Sequence, residues 1–380
     1  MSIKVAIAGV GGYGSMYVNH FCRLAEAGRV ELVAAAEFFP EKCADRIEKL
    51  QAHGAKIVKS ADELFNLGVQ LDLVGLPVGI ESHEPLTIRA LEQNCNVLVE
   101  KPLAGNLQSV EKIIAARNRT YRFVAVGFQH FYEPACQKVK EFLCSGALGK
   151  ILKIKLMGRW PRGDAYYQRN NWAGRISGKH SLILDSPFCN AFAHYINILL
   201  YLASADREAI AVPELIHADL SRSRDIENFD TGIVQLTADG IPATIMLTHC
   251  CDTEFAPRLV MVCEKGTVIY DEATTWQVYD ANGTAIEGFG YAGRANHTFM
   301  FDAVINRLND PSQRICTPEL ARAHVDLMEQ IYKKGEIKTL PADSYTIRPE
   351  DGVRINNGLA EAWDELYKSE PISKRFGSSC

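Results

Sequence analysis

Two observations predict an α/β protein built in two parts, a doubly wound parallel sheet followed by an α+β domain with a large, mostly antiparallel open sheet. Over residues 1–128, short apolar runs alternate with helix-like segments, the pattern of parallel strands buried on both faces. From 129 onward the runs lengthen, alternate apolar with polar residues and succeed one another across tight turns, as hairpins do. At 380 residues the chain is also too long for one ordinary core.

In the first domain, strands are predicted at Ile3–Ala8, Val30–Ala36, Lys56–Val58, 71–76, Asn96–Val99 and 122–126. Helices fill the intervals. Ser60-Ala61-Asp62-Glu63 has the form of a capping box, in which hydroxyl and carboxylate satisfy backbone N–H groups at a helix start. In the second domain, 129–335, strands are expected at 151–157, 215–220, 231–237, 242–249 and 258–262, with Ala238-Asp239-Gly240 as a hairpin turn. Helices at 190–202, 297–308 and 318–333 would cover one face of this sheet. The other face then needs a partner, and a second subunit, giving a homodimer or homotetramer, is the simplest one. Residues 336–380 are a C-terminal extension with one helix over 357–368, whose place the sequence leaves open.

The composition, 47% hydrophobic and 23% charged, is that of a soluble globular protein. A net charge of -5 without charge blocks offers no footprint for nucleic acid or an anionic membrane, so the expected partners are small molecules and other protein chains. Eleven cysteines without a Cys-x-x-Cys pair fit reduced thiols and a cytoplasmic location. The N-terminal residues read as a first strand and not as a signal peptide. The longest apolar stretch, near 191–203, is broken by His194 and Asn197 and is too short to span a bilayer.

Gly9-Val10-Gly11-Gly12-Tyr13-Gly14 lies between the first strand and the first helix. Glycine at Gly9, Gly11 and Gly14 allows a tight turn, close backbone approach to a pyrophosphate and close packing of helix on sheet. The N–H groups at the helix start then bind the phosphates. Glu37, at the end of the second strand, stands where a carboxylate accepts hydrogen bonds from ribose hydroxyls and repels a 2′-phosphate. Phe38, Phe39 and Pro40 bring no guanidinium, so the expected cofactor is NAD, with NADP the poorer fit. Leu76-Pro77 ends the fourth strand in a loop placed to flank the nicotinamide ribose; His83 either joins it there or simply begins a helix. Glu100-Lys101-Pro102 ends the fifth strand and sets an amine where the cofactor's reactive ring would lie.

With Asp72 to His83, Val126-Gly127-Phe128-Gln129, the Ser-Gly-Ala-Leu-Gly-Lys-Ile run at 145–151, Ala193-His194-Tyr195-Ile196-Asn197 and Glu264-Lys265-Gly266-Thr267, these segments in this order resemble the Gfo/Idh/MocA family. The resemblance implies hydride transfer between a carbon bearing a hydroxyl, on a sugar, sugar acid or cyclitol, and a nicotinamide ring. It implies that Lys101 contacts the reacting hydroxyl and the nicotinamide ribose. It also implies a cis Lys101-Pro102 bond, which proline makes accessible. A further family signature is an aspartate and a histidine spaced by four on one helical face. His194 matches, whereas Asn190 stands at the aspartate position and Asn197 where a further aspartate is common. An amide can hold a hydroxyl but takes no proton. Proton removal therefore falls either to His194 with Lys101 or to Asp185, five residues before Asn190.

The stretch 158–180 is rich in rings and guanidinium groups, among them Arg162 and Trp172. It is read either as a lid over an anionic or glycosidic substrate or as a rim or subunit contact. His130, with Tyr132, follows the last strand of the first domain and is a further candidate for substrate contact. No His/Cys/Asp cluster has ligand spacing, and no metal is expected. The leading activity is an NAD-dependent dehydrogenase of a carbohydrate. A glycosidase working through transient oxidation by retained NAD, and a non-catalytic NAD-binding sensor, are the alternatives.

Overall fold

The computed structural model describes residues 2–178, 182–271, 275–290 and 297–368. The chain divides into two compact bodies, Met1–Tyr132 with Asn296–Val325, and Glu133–Ala295 with Asp326–Cys380.

In the first body, β1 (Ile3–Ala8), β2 (Val30–Ala36), β3 (Lys56–Val58), β4 (Leu73–Leu76), β5 (Asn96–Val99) and β6 (Val124–Val126) form a parallel sheet in the order β3-β2-β1-β4-β5-β6. The connecting helices are α1 (Gly14–Glu26), α2 (Ala44–Ala52), α3 (Ala61–Phe65), α4 (His83–Glu92) and α5 (Leu107–Thr120). β4, β5 and β6 are buried at every position, as strands covered on both faces must be. The strand order reverses between β1 and β4, and the crevice at the carboxyl ends of those strands is where such sheets bind ligands. Ser60 caps α3, its hydroxyl accepting from the Glu63 N–H at 3.1 Å. The Glu63 carboxylate reaches back to the Lys59 N–H, one residue earlier than a standard box.

The second body contains α6 (Pro134–Cys144), β7 (Ile151–Arg159), α7 (Asp164–Gln168) and a π-helical turn at Pro187–Ala191 that leads into α8 (Ala193–Ala203). Then follow β8 (Pro213–Arg222), β9 (Thr231–Ala238), β10 (Ile241–Thr248), β11 (Phe255–Cys263), β12 (Gly266–Asp271), β13 (Thr275–Asp280) and β14 (Ala285–Ile286). With β15 (Ile337–Thr339) they make a nine-stranded sheet in the order β14-β13-β12-β11-β7-β10-β9-β8-β15. Pairings β7 with β10 and β8 with β15 are parallel and the rest antiparallel, in keeping with the mostly antiparallel sheet expected.

Chain order misplaces one segment and leaves a second without a place. The helix α9 (His297–Arg307) packs on α1, with Phe301 against Tyr17, Phe21 and the stacked ring of His20 at 5.0, 5.1 and 4.6 Å. Asp302 accepts from Arg23 and Arg29 at 3.0 and 2.6 Å. The backbone at Cys316 bonds Val126 at 2.8 Å beside β6. Residues 296–325, assigned by sequence order to 129–335, thus belong to the first body, because an amphipathic helix does not encode which core it returns to. The helix α10 (Pro318–Lys334) contributes to both bodies.

The second segment is the C-terminal helix α11 (Leu359–Lys368), which follows a small hairpin of β16 (Tyr345–Ile347) and β17 (Arg354–Asn356). α8 lies on one face of the large sheet, where Gly158 leaves room for Phe192, which a Cβ would meet at 2.6 Å. On the opposite face Trp363 is buried with Met157 and Met246, flanked by Ile233 and Phe255. Arg159 donates to Ala360 O and to Asp364, and Lys155 reaches the carbonyls of Leu366 and Tyr367, closing the helix end. One strip of the face expected to meet a second subunit is thus covered by α11 of the same chain. Residues 369–380 of the predicted extension lie outside the described residues. Trp363→Ala should lower unfolding stability by about 3–5 kcal/mol, read by denaturant titration, because a buried tryptophan leaves a cavity between helix and sheet.

Ten described cysteines are free thiols, nine of them buried. No helix among the described residues is long and apolar enough to cross a membrane.

Candidate active site

The glycine turn joins β1 to α1, and its glycines are required by contact as much as by conformation. Gly9 has φ +96° and lies against Val78 and the Pro77 carbonyl, while a Cβ on Gly14 would stand 2.4 Å from the Gly9 carbonyl. Pro77, predicted beside the cofactor, is therefore part of the wall of the turn. Leu76 is a fully buried strand residue whose carbonyl accepts from Glu100 N at 3.3 Å.

Glu37 closes the other side. One carboxylate oxygen accepts from the Val10 and Gly11 N–H groups at 2.8 Å each, and the second from Phe39 N at 3.1 Å. Partial burial pushes its pKa up, but the backbone donors outweigh it and hold the carboxylate below its usual range. Among the described residues, the Gly12 and Tyr13 N–H groups donate to no protein acceptor, and the space over Gly12 is open. Two open amides at a helix start, beside an anchored carboxylate, fit a dinucleotide: the amides for its diphosphate, Glu37 for its ribose. Glu37→Ala should weaken NAD binding at least about tenfold in a calorimetric titration, through loss of charge-assisted bonds.

Beneath the fifth strand end, Glu100 is buried. It accepts from the Tyr17 hydroxyl at 3.0 Å and from the Lys101 N–H at 3.1 Å. A Cβ on Gly127 would come within 2.7 Å of it, so glycine in the Val126-Gly127-Phe128 run makes room for this carboxyl. Burial pushes its pKa up to about 7 against the pull of the Lys101 charge. Glu100 thus supports the backbone of Lys101 from below. The Lys101–Pro102 peptide is cis, as the family resemblance implies.

His83 begins α4. Its ring is buried, with Nδ1 2.9 Å from Pro102 O and Nε2 3.1 Å from Val78 O. Burial lowers its pKa, and the neutral ring donates from one nitrogen only, to Pro102 O or to Val78 O, where it lies between the loop after β4 and the Lys101 loop. His130 and Tyr132 lie in a buried 3-10 turn after β6. The Tyr132 hydroxyl donates to Val126 O and accepts from Cys316 N, a tether within the first body.

In the second body the helix expected over 190–202 begins only at Ala193. Ser186 and Pro187 start a π turn instead, closed by Phe192 N on Pro187 O at 2.9 Å, and Asn190 sits within it. The four-residue spacing to His194 therefore does not follow an α-helical face. Asn190 and Asp185 are partners: the Asn190 amide donates to Asp185 at 2.8 Å, and the buried Asp185 also accepts from Gly174 N at 2.7 Å. His194 is half-buried, and Asn197 is wholly buried in the core.

The ring-rich stretch packs largely on itself, with its last residues, 179–180, outside the described residues. The Arg162 guanidinium stacks over Trp160 and Tyr166, and Arg169 lies over Tyr166 and Trp172. Arg175 faces Glu227 at 3.5 Å. One residue escaped the sequence reading. His249, buried at the end of β10, places Nδ1 3.0 Å from Trp160 O and packs against Tyr166 and Phe192. Burial lowers its pKa to about 3, so it is a neutral ring. No local pattern marks it, since a lone histidine ending a strand has no spacing to read.

Residues 3–128 match the description "Oxidoreductase family, NAD-binding Rossmann fold", and residues 136–269 match the "GFO/IDH/MocA C-terminal domain". The chain belongs to the Gfo/Idh/MocA family. Inositol 2-dehydrogenase 4 of Saccharopolyspora erythraea is 25% identical over 75% of this chain and 78% of its own length. Inositol 2-dehydrogenase of Salmonella typhimurium is 29% identical over 40% of this chain, which spans only 45% of that relative. In fold, the chain is similar to the WlbA dehydrogenase of Bordetella pertussis, solved with NADH and UDP-GlcNAcA, with a TM-score of 0.72, 22% identity and coverage of 94% and 99% of the two chains. Like its Gfo/Idh/MocA relatives, the protein is an NAD-binding oxidoreductase of the dehydrogenase class, with a six-stranded Rossmann sheet and a large mixed sheet.

Proposed function

We propose that this Gfo/Idh/MocA protein oxidises a secondary alcohol of a sugar, sugar acid or cyclitol with NAD. The observation that carries the reading is the position of Lys101. Its backbone is held by buried Glu100 at the carboxyl end of β5, on the same sheet edge as the open amides of the glycine turn. Bound there, NAD supplies a nicotinamide carbon that accepts hydride. Lys101 orients the reacting hydroxyl by hydrogen bonding and takes part in removing its proton. In the second body, His194 is assigned proton transfer, and the Asn190 amide is assigned to a neighbouring hydroxyl, with its orientation fixed by Asp185. Arg162 and Trp172 are the proposed substrate contacts of the ring-rich stretch, Trp172 offering an apolar face to a sugar.

The relatives named for inositol oxidation support a polyol substrate class, and the reduced thiols support a cytoplasmic setting. A homo-oligomer through the part of the large sheet that α11 leaves uncovered completes the reading. A panel of polyols, sugars, sugar acids and glycosides, followed at 340 nm with NAD and NADP separately, tests it. Alcohol-dependent NADH formation is expected. Cleavage of a nitrophenyl glycoside without added NAD would replace this reading with the glycosidase, and NAD binding without any turnover would replace it with the sensor.

A further inference from the structure

We propose that the hydrogen bond between Tyr13 and His297 positions the cofactor turn, so that affinity for NAD is set in part by a residue 284 positions further along the chain. The inference rests on the reading that the glycine turn holds NAD. Tyr13 occupies the N-cap of α1 with φ -65° and ψ -18°, and its side chain makes no capping bond. The N–H groups of Gly14, Ser15 and Met16 donate to the carbonyls of Gly11, Gly12 and Tyr13, and the Gly12 and Tyr13 amides just before them are open to an external acceptor. A phenol at this position is large enough to fold across those amides. It lies elsewhere: the ring meets Tyr17, one turn along α1, edge-on at 6.5 Å, and the hydroxyl is 2.7 Å from His297 Nε2.

The anchor is firm because His297 opens α9, which the Phe301 ring cluster and the Asp302 ion pairs fix to α1. The bond is also constant in charge near neutrality. Although Tyr13 is 42% exposed, desolvation at its hydroxyl end, then the charge of Glu100, raises its pKa, and it stays a neutral phenol. Burial first, then His20 and His130, lowers His297 to about 4. Among the described residues, the titratable groups facing His297 are Tyr13 at the N-cap of α1, His20 of α1 and His130 from the turn after β6, with Arg23 and Asp302 behind His20. One neutral hydrogen bond therefore decides whether the phenol stays off the turn or samples the space over it.

Titration of the cofactor-free protein with NAD at pH 7.5, by calorimetry, tests this with Tyr13→Phe, His297→Ala, His297→Gln and the Tyr13→Phe/His297→Ala double variant. Tyr13→Phe and His297→Ala should each raise Kd about fivefold, the worth of one neutral bond. The double variant should be no weaker than the worse single one, because both remove the same bond. His297→Gln, whose amide can meet the hydroxyl, should recover most of the affinity. Tyr13→Phe deletes one oxygen and tests the idea even if His297→Ala fails to fold. Single variants within twofold of the parent, or effects that multiply in the double variant, overturn the proposal. A parent protein that binds no NAD overturns the cofactor reading itself, and the proposal with it.

Discussion

Lys101→Ala is expected to abolish alcohol-dependent NADH formation, by about a thousandfold or more in kcat, while NAD affinity changes only a few-fold. The size follows from the role assigned to the amine, since a positioned group that moves a proton contributes about 10²–10⁴ in rate. Removing the side chain leaves untouched what is proposed to hold the cofactor, namely the open amides of Gly12 and Tyr13 and the carboxylate of Glu37. Lys101→Met retains the length of the side chain without its charge and should fail equally. Lys101→Arg keeps the charge but not the compact ammonium, and should recover little. Steady-state rates at 340 nm together with NAD titration separate chemistry from binding. Near-parental turnover in the alanine variant would remove Lys101 from the reaction.

Glu100→Gln should make the protein more stable at pH 8 relative to the parent, yet give no such gain at pH 4. Burial raises the Glu100 pKa from 4.5 to about 7, so the folded state holds this proton more tightly than the unfolded chain. The stabilisation from that proton is fully present below about pH 4.5 and is lost as pH rises through about 7. The displacement corresponds to about 3 kcal/mol. Glutamine has no proton to lose, can turn its carbonyl to the Lys101 N–H, and can donate to the Tyr17 oxygen. Urea midpoints measured between pH 4 and 8.5 should therefore diverge across that window. Parallel curves for the two proteins would mean that Glu100 does not titrate there.

The parts of the site that were legible in the sequence are those fixed by backbone geometry over a few residues. Gly9 and Gly14 could be named because a turn that brings a strand into a helix this tightly has no room for Cβ at Gly14 and needs a positive φ at Gly9. Glu37 could be named because the length of α1 and the start of β2 set its distance from the turn. Lys101 was visible because Glu-Lys-Pro ends a strand. What spacing could not decide were choices between side-chain partners. Spacing left His83 as ligand contact or helix residue, and only the fold shows its ring lying between the carbonyls of Val78 and Pro102. Asp185 stood as the alternative to His194 with Lys101 for the proton, and only the fold, with the π turn at Pro187–Ala191, shows it hydrogen-bonded to Asn190.

By itself, then, the sequence determined the two-part α/β architecture, the alternation that builds the parallel sheet, the family, and the residues at the carboxyl ends of β1, β2 and β5. Tertiary structure alone decided that α9 packs against α1 and brings His297 to Tyr13, that α11 lies on the second face of the large sheet, and that Glu100 is buried beneath Lys101. The physical reason is one of range. Turn geometry and hydrophobic periodicity act between near neighbours and leave a mark in the order of residues. The partner of a packed helix or a buried polar group is chosen by which distant surfaces meet, and neither sequence partner carries a sign of the other.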